Sequence, residues 1–293
     1  MLLAKTVLSA IQTEKYYFHL YHRKGRSCFM MKLGIICSNP TKDNVAYVKG
    51  LGLSCVEICN NNNEETLNCH ANMADYIANV REAGLFFSSV GRWNSNMNAG
   101  GHVNEEEFAI VSKTLEDAIA AGAPSFVCGC NYDDSVSLFR NYAAAIEIFG
   151  RLAERAKGTG TSVAIYNCDW NNFVNNMEAW KIVLGELPDV KIKFDASHSY
   201  HAGRDYMREI SDWADRFSHV HVKGAVKTGG RYVDDPPAGL DDLKWGSMFA
   251  ALYARGYDGC LSIEPHSAAW MPNMERGKAG IRYTIDYITK LMM

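Results

Sequence analysis

Three stretches place metal-type ligands at the C-terminal ends of runs that read as buried strands. In KIKFDASHSY, Lys191 to Tyr200, an apolar-flanked run ends in Asp195, and His198 follows three residues later. FSHVHVKG, Phe217 to Gly224, carries His219 and His221, and CLSIEPH, Cys260 to His266, carries Glu264. Side chains alternate along a strand, so an inward Asp195 brings Lys193 inward and sends Ile192 and Phe194 to the outer layer. The same parity turns His219 and His221 inward on the next run, and Ser262 and Glu264 on the last. Asp195, His221 and Glu264 then stand at similar height on neighbouring strands. A carboxylate, imidazole, carboxylate set suits a divalent cation such as Mn, Mg, Co or Zn, with water or substrate oxygens completing the shell. Any one of these residues alone reads more simply as a hydrogen-bonded core group. Three at consecutive strand ends favour a site, because unpaired buried charge is costly. His219, one inward position deeper, reads as structural support. Lys193 is a catalytic candidate, since an ammonium inside a barrel is either desolvated or paired with an acid such as Glu264; an ion pair that merely fills the interior is the alternative.

Strand ends converge only if the fold gathers them. From Met31 onward, short apolar runs alternate with longer amphipathic ones. The expected strands are 32–38, 55–59, 85–91, 125–130, 162–168, 191–197, 218–224 and 260–265. Helical patterns such as NEEEFAIVSKTLEDAIAAGA separate them, each closed by a glycine of the sort that ends helices. Eight alternations indicate an α/β fold, a (β/α)8 TIM barrel, because parallel strands need crossover helices and eight strands close around a side-chain-filled interior. An open doubly wound sheet is the alternative, and no G-x-G-x-x-G follows an early strand to support its dinucleotide-binding form. In a barrel, active-site residues come from the C-terminal strand ends and the loops after them.

The 293 residues can bury one large core, and the 31–293 segment reads as a single barrel domain. Residues 1–30 resemble neither a secretory signal nor the alternation that follows, so they read as a poorly ordered N-terminal extension. No run reaches the roughly 18 apolar residues of a membrane span. Lys and Arg total 30 against 33 Asp and Glu, a balance that points away from nucleic acid and anionic membranes and towards a small molecule. The nine cysteines are odd in number and sit mostly inside apolar runs, which reads as reduced structural thiols in a cytoplasmic protein. CGC at Cys128 to Cys130 is not a zinc spacing.

FDASH, HVHVKG and GYDGCLSIEP resemble the sixth, seventh and eighth strands of the sugar phosphate isomerase/epimerase family, the xylose-isomerase-like TIM barrels. DDLKWGSMFAALYARGYDG is similar to that family's stretch before the last strand, and VEICN, with Glu57, is similar as well. The resemblance implies a divalent metal held by Asp195, His221 and Glu264, with His198 contacting metal or substrate. It implies acid/base work for Glu264, and it marks Glu57 as a substrate-side residue. The departure lies on the fifth strand, where the family reads roughly ALEN and this chain reads AIYN, so that Tyr166 stands in place of a metal-binding, proton-moving glutamate. Either Asp169 bends back to replace it, or the site works with one carboxylate, or metal binding has been lost. As a phenol, Tyr166 could still donate a hydrogen bond or a proton to a substrate oxygen, which makes it a catalytic candidate.

Lys223 stands where a cation could contact substrate oxygens. Trp93, Trp170 and Trp245 near strand ends could wall the face of a sugar, though Trp is also ordinary packing material. KTGGR, Lys227 to Arg231, reads as a surface loop or a weak phosphate cradle. The expected function is a metal-dependent sugar isomerase or epimerase that removes a proton next to a carbonyl. A keto-sugar or keto-inositol lyase using one base, and a non-catalytic sugar-binding barrel, are the alternatives. Whether subunits pair in a homo-oligomer is left open.

Overall fold

The computed structural model describes residues 30–293, so the expected N-terminal extension lies, but for Met30, outside the described residues. Eight strands form the barrel: β1 (Lys32–Ile36), β2 (Cys55–Asn60), β3 (Phe86–Arg92), β4 (Ser125–Cys128), β5 (Ser162–Tyr166), β6 (Lys191–Phe194), β7 (Phe217–Val222) and β8 (Cys260–Ile263). They are hydrogen-bonded in the closed order β1-β8-β7-β6-β5-β4-β3-β2. Each expected strand is present. The expected runs mostly overshoot at their C-terminal ends, where the chain leaves the ladder and enters the loops that carry the polar groups.

The outward faces of the strands supply the larger core, with Ile192, Phe194, Val220, Val222, Leu261 and Ile263 buried against the surrounding helices. That burial is the main source of stability, since each such side chain contributes about 1.5–3 kcal/mol on leaving water. Helices begin where the sequence offers capping oxygens, among them Thr41, Asn62, Ser137, Asn176 and Asp195.

The barrel interior is divided by chemistry. Trp93, Val127, Ala164, Tyr166 and Cys168 form an apolar group on the β3 to β5 side. The β6 to β8 side carries Lys193, His219, His221 and Ser262, all buried, as is Glu57 on β2. In register, Tyr166 pairs with Lys193, Lys193 with His219, and His221 with Ser262. Irregularities interrupt the ladder between Val56 and Glu57 and between Ile192 and Lys193. Such bulges re-aim the side chains next to them, here Glu57 and Lys193.

Two glycines clear space for the aromatic half. A Cβ at Gly91 would land on the Trp93 ring and one at Gly129 on the Tyr166 ring. The middle residue of CGC is therefore a gap filled by Tyr166. KTGGR forms the turn of a hairpin, Val226–Thr228 paired with Arg231–Asp234, with Gly229 and Gly230 at φ 58° and 77°. No disulfide forms among the described residues.

Candidate active site

Asp195 follows β6 and caps the short helix Ala196–His201. Ser197 donates from its backbone N (2.9 Å) and from Oγ (2.7 Å) to Asp195 Oδ1. Asn167, just past β5, clamps the Asp195 backbone, donating to its carbonyl and accepting from its N–H, both at 2.8 Å. One carboxylate oxygen is thus tied down by the cap. The other, Oδ2, is fully buried and has no hydrogen-bond partner.

Around Oδ2 the other polar groups gather. His221 Nδ1 lies 3.8 Å away and also 2.7 Å from Glu264 Oε2. Lys223 Nζ lies 3.3 Å from Asp195 Oδ2 and 3.3 Å from Glu264 Oε2, and donates to His198 Nε2 at 2.9 Å. Lys193 Nζ is 3.8 Å from Asp195 Oδ2. Burial by itself would raise the Asp195 and Glu264 carboxyls. The Lys223 ammonium outweighs it, helped by Lys193 at Asp195 and by His221 at Glu264, and holds both well below the usual carboxylate range. Burial, then the neighbouring Lys223 charge, lower His198 to about 3, so its imidazole is neutral. The two carboxylates in turn raise Lys223 against the effect of burial, which keeps it an ammonium.

Asp195, His221 and Glu264 form a group whose donor atoms lie within 4.8 Å of one another and could hold a metal ion. Asp195 Oδ2, which takes no hydrogen bond, and the hard-oxygen and imidazole donors fit a divalent cation. No fourth ligand comes from the fifth strand. Tyr166 points across Gly129 and stacks on Trp93, with ring centroids 5.7 Å apart and 9° between planes. Its hydroxyl donates to Trp170 O at 2.9 Å and accepts from Asn94 N at 3.3 Å. It is absent from the cavity lining, and burial pushes its phenol well above the usual value. The expectation that this phenol serves the substrate therefore lacks geometric support. Asp169 is exposed and does not line the cavity either.

Three further expectations shift. His198, a candidate ligand, accepts from Lys223 instead, although its ring does line the cavity. Trp245 is core: it is buried, and its indole N–H donates to Asp241 at 3.0 Å. Glu57 is buried beneath the site, where it accepts from His219 Nε2 (3.0 Å), His221 Nε2 (2.8 Å) and Ser89 Oγ (2.9 Å), and it does not line the cavity. His201 and His266 both bond Asp235, at 2.6 and 3.0 Å.

A cavity of about 640 Å³ opens over the centre. Lys193, His198, His221, Lys223 and Glu264 are among its polar lining residues, and Trp93, Cys59, Cys168 and Trp170 also line it. Glu264 is the one carboxylate among these lining residues. Cys59, Cys168 and the rim asparagines Asn39 and Asn61 escaped the sequence reading. Nothing in their local pattern separates them from ordinary loop and strand residues.

The profile of the xylose isomerase-like TIM barrel family matches residues 45–291. A search of curated proteins gives no match. Among solved structures, the 3-keto-D-glucoside 4-epimerase of E. coli superposes with a TM-score of 0.70 at 18% identity, over 89% of this chain and 99% of that one. A D-psicose 3-epimerase from Clostridium cellulolyticum gives 0.72 at 15% identity, over 89% and 99%. A xylose isomerase domain protein from Planctomyces limnophilus gives 0.65 at 15%, over 89% and 96%. At these identities the likeness is one of fold.

Proposed function

Because the chain belongs to the xylose isomerase-like TIM barrel family, we propose that it is a carbohydrate isomerase or epimerase that removes a proton from a carbon next to a carbonyl. The observation that carries this reading is the convergence of Asp195, His221 and Glu264 beside Lys223 under the cavity. The epimerase names of the superposable structures support a sugar or keto-sugar as the substrate.

A divalent ion held by Asp195, His221 and Glu264 would supply Lewis-acid polarisation of the substrate carbonyl. Glu264 is ionised and lines the cavity, so its carboxylate is the group that accepts the carbon-bound proton, while His221 Nδ1 at 2.7 Å engages Oε2. Lys223 sits 3.3 Å from that oxygen and donates to the negative charge that develops on the substrate oxygen. His198 takes a hydrogen bond from Lys223 on Nε2, so the neutral ring carries its proton on Nδ1 and can donate to a sugar hydroxyl. Trp93 supplies an apolar surface for a ring face.

One observation favours a second reading, a lyase. With Tyr166 bonded to Trp170 and Asn94, Glu264 is the sole carboxylate in the lining, and epimerisation by two bases would need a second group on the opposite face. Elimination of a β-substituent after the same abstraction needs one base.

The test is to incubate Mn-loaded protein in D2O with a panel of ketoses, keto-glycosides and inososes. Deuterium uptake with a changed hydroxyl configuration marks the epimerase, and loss of a substituent marks the lyase. Binding of a panel sugar with neither exchange nor turnover would refute both and leave a sugar-binding barrel.

A further inference from the structure

We infer that the cavity takes a sugar carrying a second, uncharged ring, and that the arc of the barrel mouth from β1 to β5 is the subsite that holds this ring. The inference deepens the reading of the cavity as a sugar site and rests on it.

The lining is divided around the barrel. Lys193, His198, His221, Lys223 and Glu264 come from β6, β7, β8 or the segments just after them. In the closed order the remaining arc runs from β1 through β2, β3 and β4 to β5. Among its lining residues are Ser38, Asn39, Asn44, Tyr47, Asn61 and Trp170, none of them charged. Among the described residues, Lys193 and Lys223 are the only Lys or Arg that line the cavity, and both belong to the other arc. Tight phosphate binding draws on Arg or Lys, so the β1 to β5 arc is poorly suited to a phosphate. Amides, a hydroxyl and aromatic faces suit a hydroxylated or aromatic ring instead.

Size points the same way. One hexose occupies on the order of 200 Å³, about seven waters at about 30 Å³ each, against about 640 Å³ for the cavity. A sugar placed with its carbonyl at Asp195, His221 and Glu264 therefore leaves room for a second ring.

The walls of this arc are held in place. On the β5 side, Trp170 is half exposed and lines the cavity. Its carbonyl accepts from the Tyr166 hydroxyl at 2.9 Å, and Asn171, next in the chain, donates from Nδ2 to Ser95 O and to Asn96 Oδ1, both at 3.0 Å. On the β1 side, Asn39 Oδ1 accepts from the Tyr76 hydroxyl at 2.6 Å and Asn39 O from Asn44 Nδ2 at 2.8 Å, which leaves Asn39 Nδ2 as a donor. After β2, the Asn61 backbone N–H donates to Glu65 Oε2 at 2.6 Å, and its side-chain amide has no partner among the described residues. An indole face on one wall and fixed amides on the other lower the entropy lost when a ring is ordered between them.

The experiment titrates the Mn-loaded full chain, followed by tryptophan fluorescence. The probes are 3-keto-D-glucose, its 6-phosphate, and its methyl, phenyl and glucosyl glycosides, each glycoside as both anomers. For one anomer, the phenyl or the glucosyl glycoside should bind at least about 10-fold tighter than the methyl glycoside and the free sugar. Tenfold is about 1.4 kcal/mol, which burial of one ring face supplies. The 6-phosphate should bind no tighter than the free sugar. A larger gain for phenyl assigns an aromatic ring to the subsite, and a larger gain for glucosyl a second sugar. In Trp170→Ala, which keeps the backbone bonds, the advantage over the methyl glycoside should fall below about threefold; if that variant does not fold, Asn61→Ala should show the loss. Free sugar or 6-phosphate bound as tightly as every glycoside would overturn the inference, as would an advantage that survives intact in the folded variants. Binding of no probe at all would overturn the sugar reading and the subsite with it. Glycoside binding that depends on Trp170 but brings no deuterium exchange would overturn the proposed reaction and uphold the subsite.

Discussion

Replacing Tyr166 by Phe separates a structural phenol from a catalytic one. The substitution deletes one oxygen and keeps the ring on Trp93 and across Gly129. It removes the hydrogen bond given to Trp170 O and the one taken from Asn94 N. These bonds hold two loops at strained points, since Asn94 and its counterpart Asn171, next to Trp170, have φ of 56° and 49°, in the left-handed region that disfavours side chains. Each lost bond costs about 0.5–1.5 kcal/mol net, and the stranded backbone groups add to it, so the total should be about 2–3 kcal/mol. For a domain of this size that is a fall in Tm of about 5–10 °C by scanning calorimetry. Because the hydroxyl does not reach the cavity, exchange or turnover on the responsive sugar should stay within about threefold of wild type. A loss of 100-fold or more, about 2.7 kcal/mol of transition-state stabilisation, with Tm held within about 2 °C would refute this reasoning and return Tyr166 to the substrate.

Lys223→Met leaves Asp195 and Glu264 without their nearest cation in a buried setting; urea denaturation should show a loss of about 3–5 kcal/mol, and Asp195→Asn added to it should restore part of that loss. Gly129→Ala drives a methyl into the Tyr166 ring and should cost about 1–3 kcal/mol by the same measurement, with a cost near zero showing that the ring can move aside. The hairpin that ends at Asp234 is tied to the rim through Asp235. Burial would raise the Asp235 carboxyl, but its bonds to His201 and His266 lower it, and the bond to Asp235 raises His266. The depressed Asp235 contributes fully above about pH 3.9 and loses its contribution as pH falls. The raised His266 contributes fully below about pH 6.5 and loses its contribution as pH rises through its folded value. Hydrogen exchange of residues 226–234, corrected for intrinsic rates, should therefore be slowest between about pH 4 and 6.5 and faster at pH 8; flat protection from pH 6 to 8 would contradict the role of His266.

The sequence by itself determined the barrel and the strand ends at which Asp195, His221 and Glu264 gather. Alternation of strand and helix is a local signal, and the two-residue period of a strand is local too, so inward Asp195, His221 and Glu264 followed once eight strands were seen to close. The same parity placed Lys193 and His219 inside. Closure decided the rest, because it brings together residues far apart in the chain whose pairing no local pattern encodes. Glu57 looked like a substrate residue until β2 and β7 faced each other and its carboxylate met two imidazoles. Lys223 looked like a substrate contact, and the fold sets its ammonium between two carboxylates as well. Trp245, beside a predicted strand end, turned into the core because Asp241 draws its indole N–H away from the cavity. Tyr166 was placed at the end of the fifth strand by resemblance, but a place on a strand does not give the direction of a long side chain. That direction was decided by the space above Gly129, the face of Trp93 and two backbone groups in loops after β3 and β5, which only the folded chain assembles.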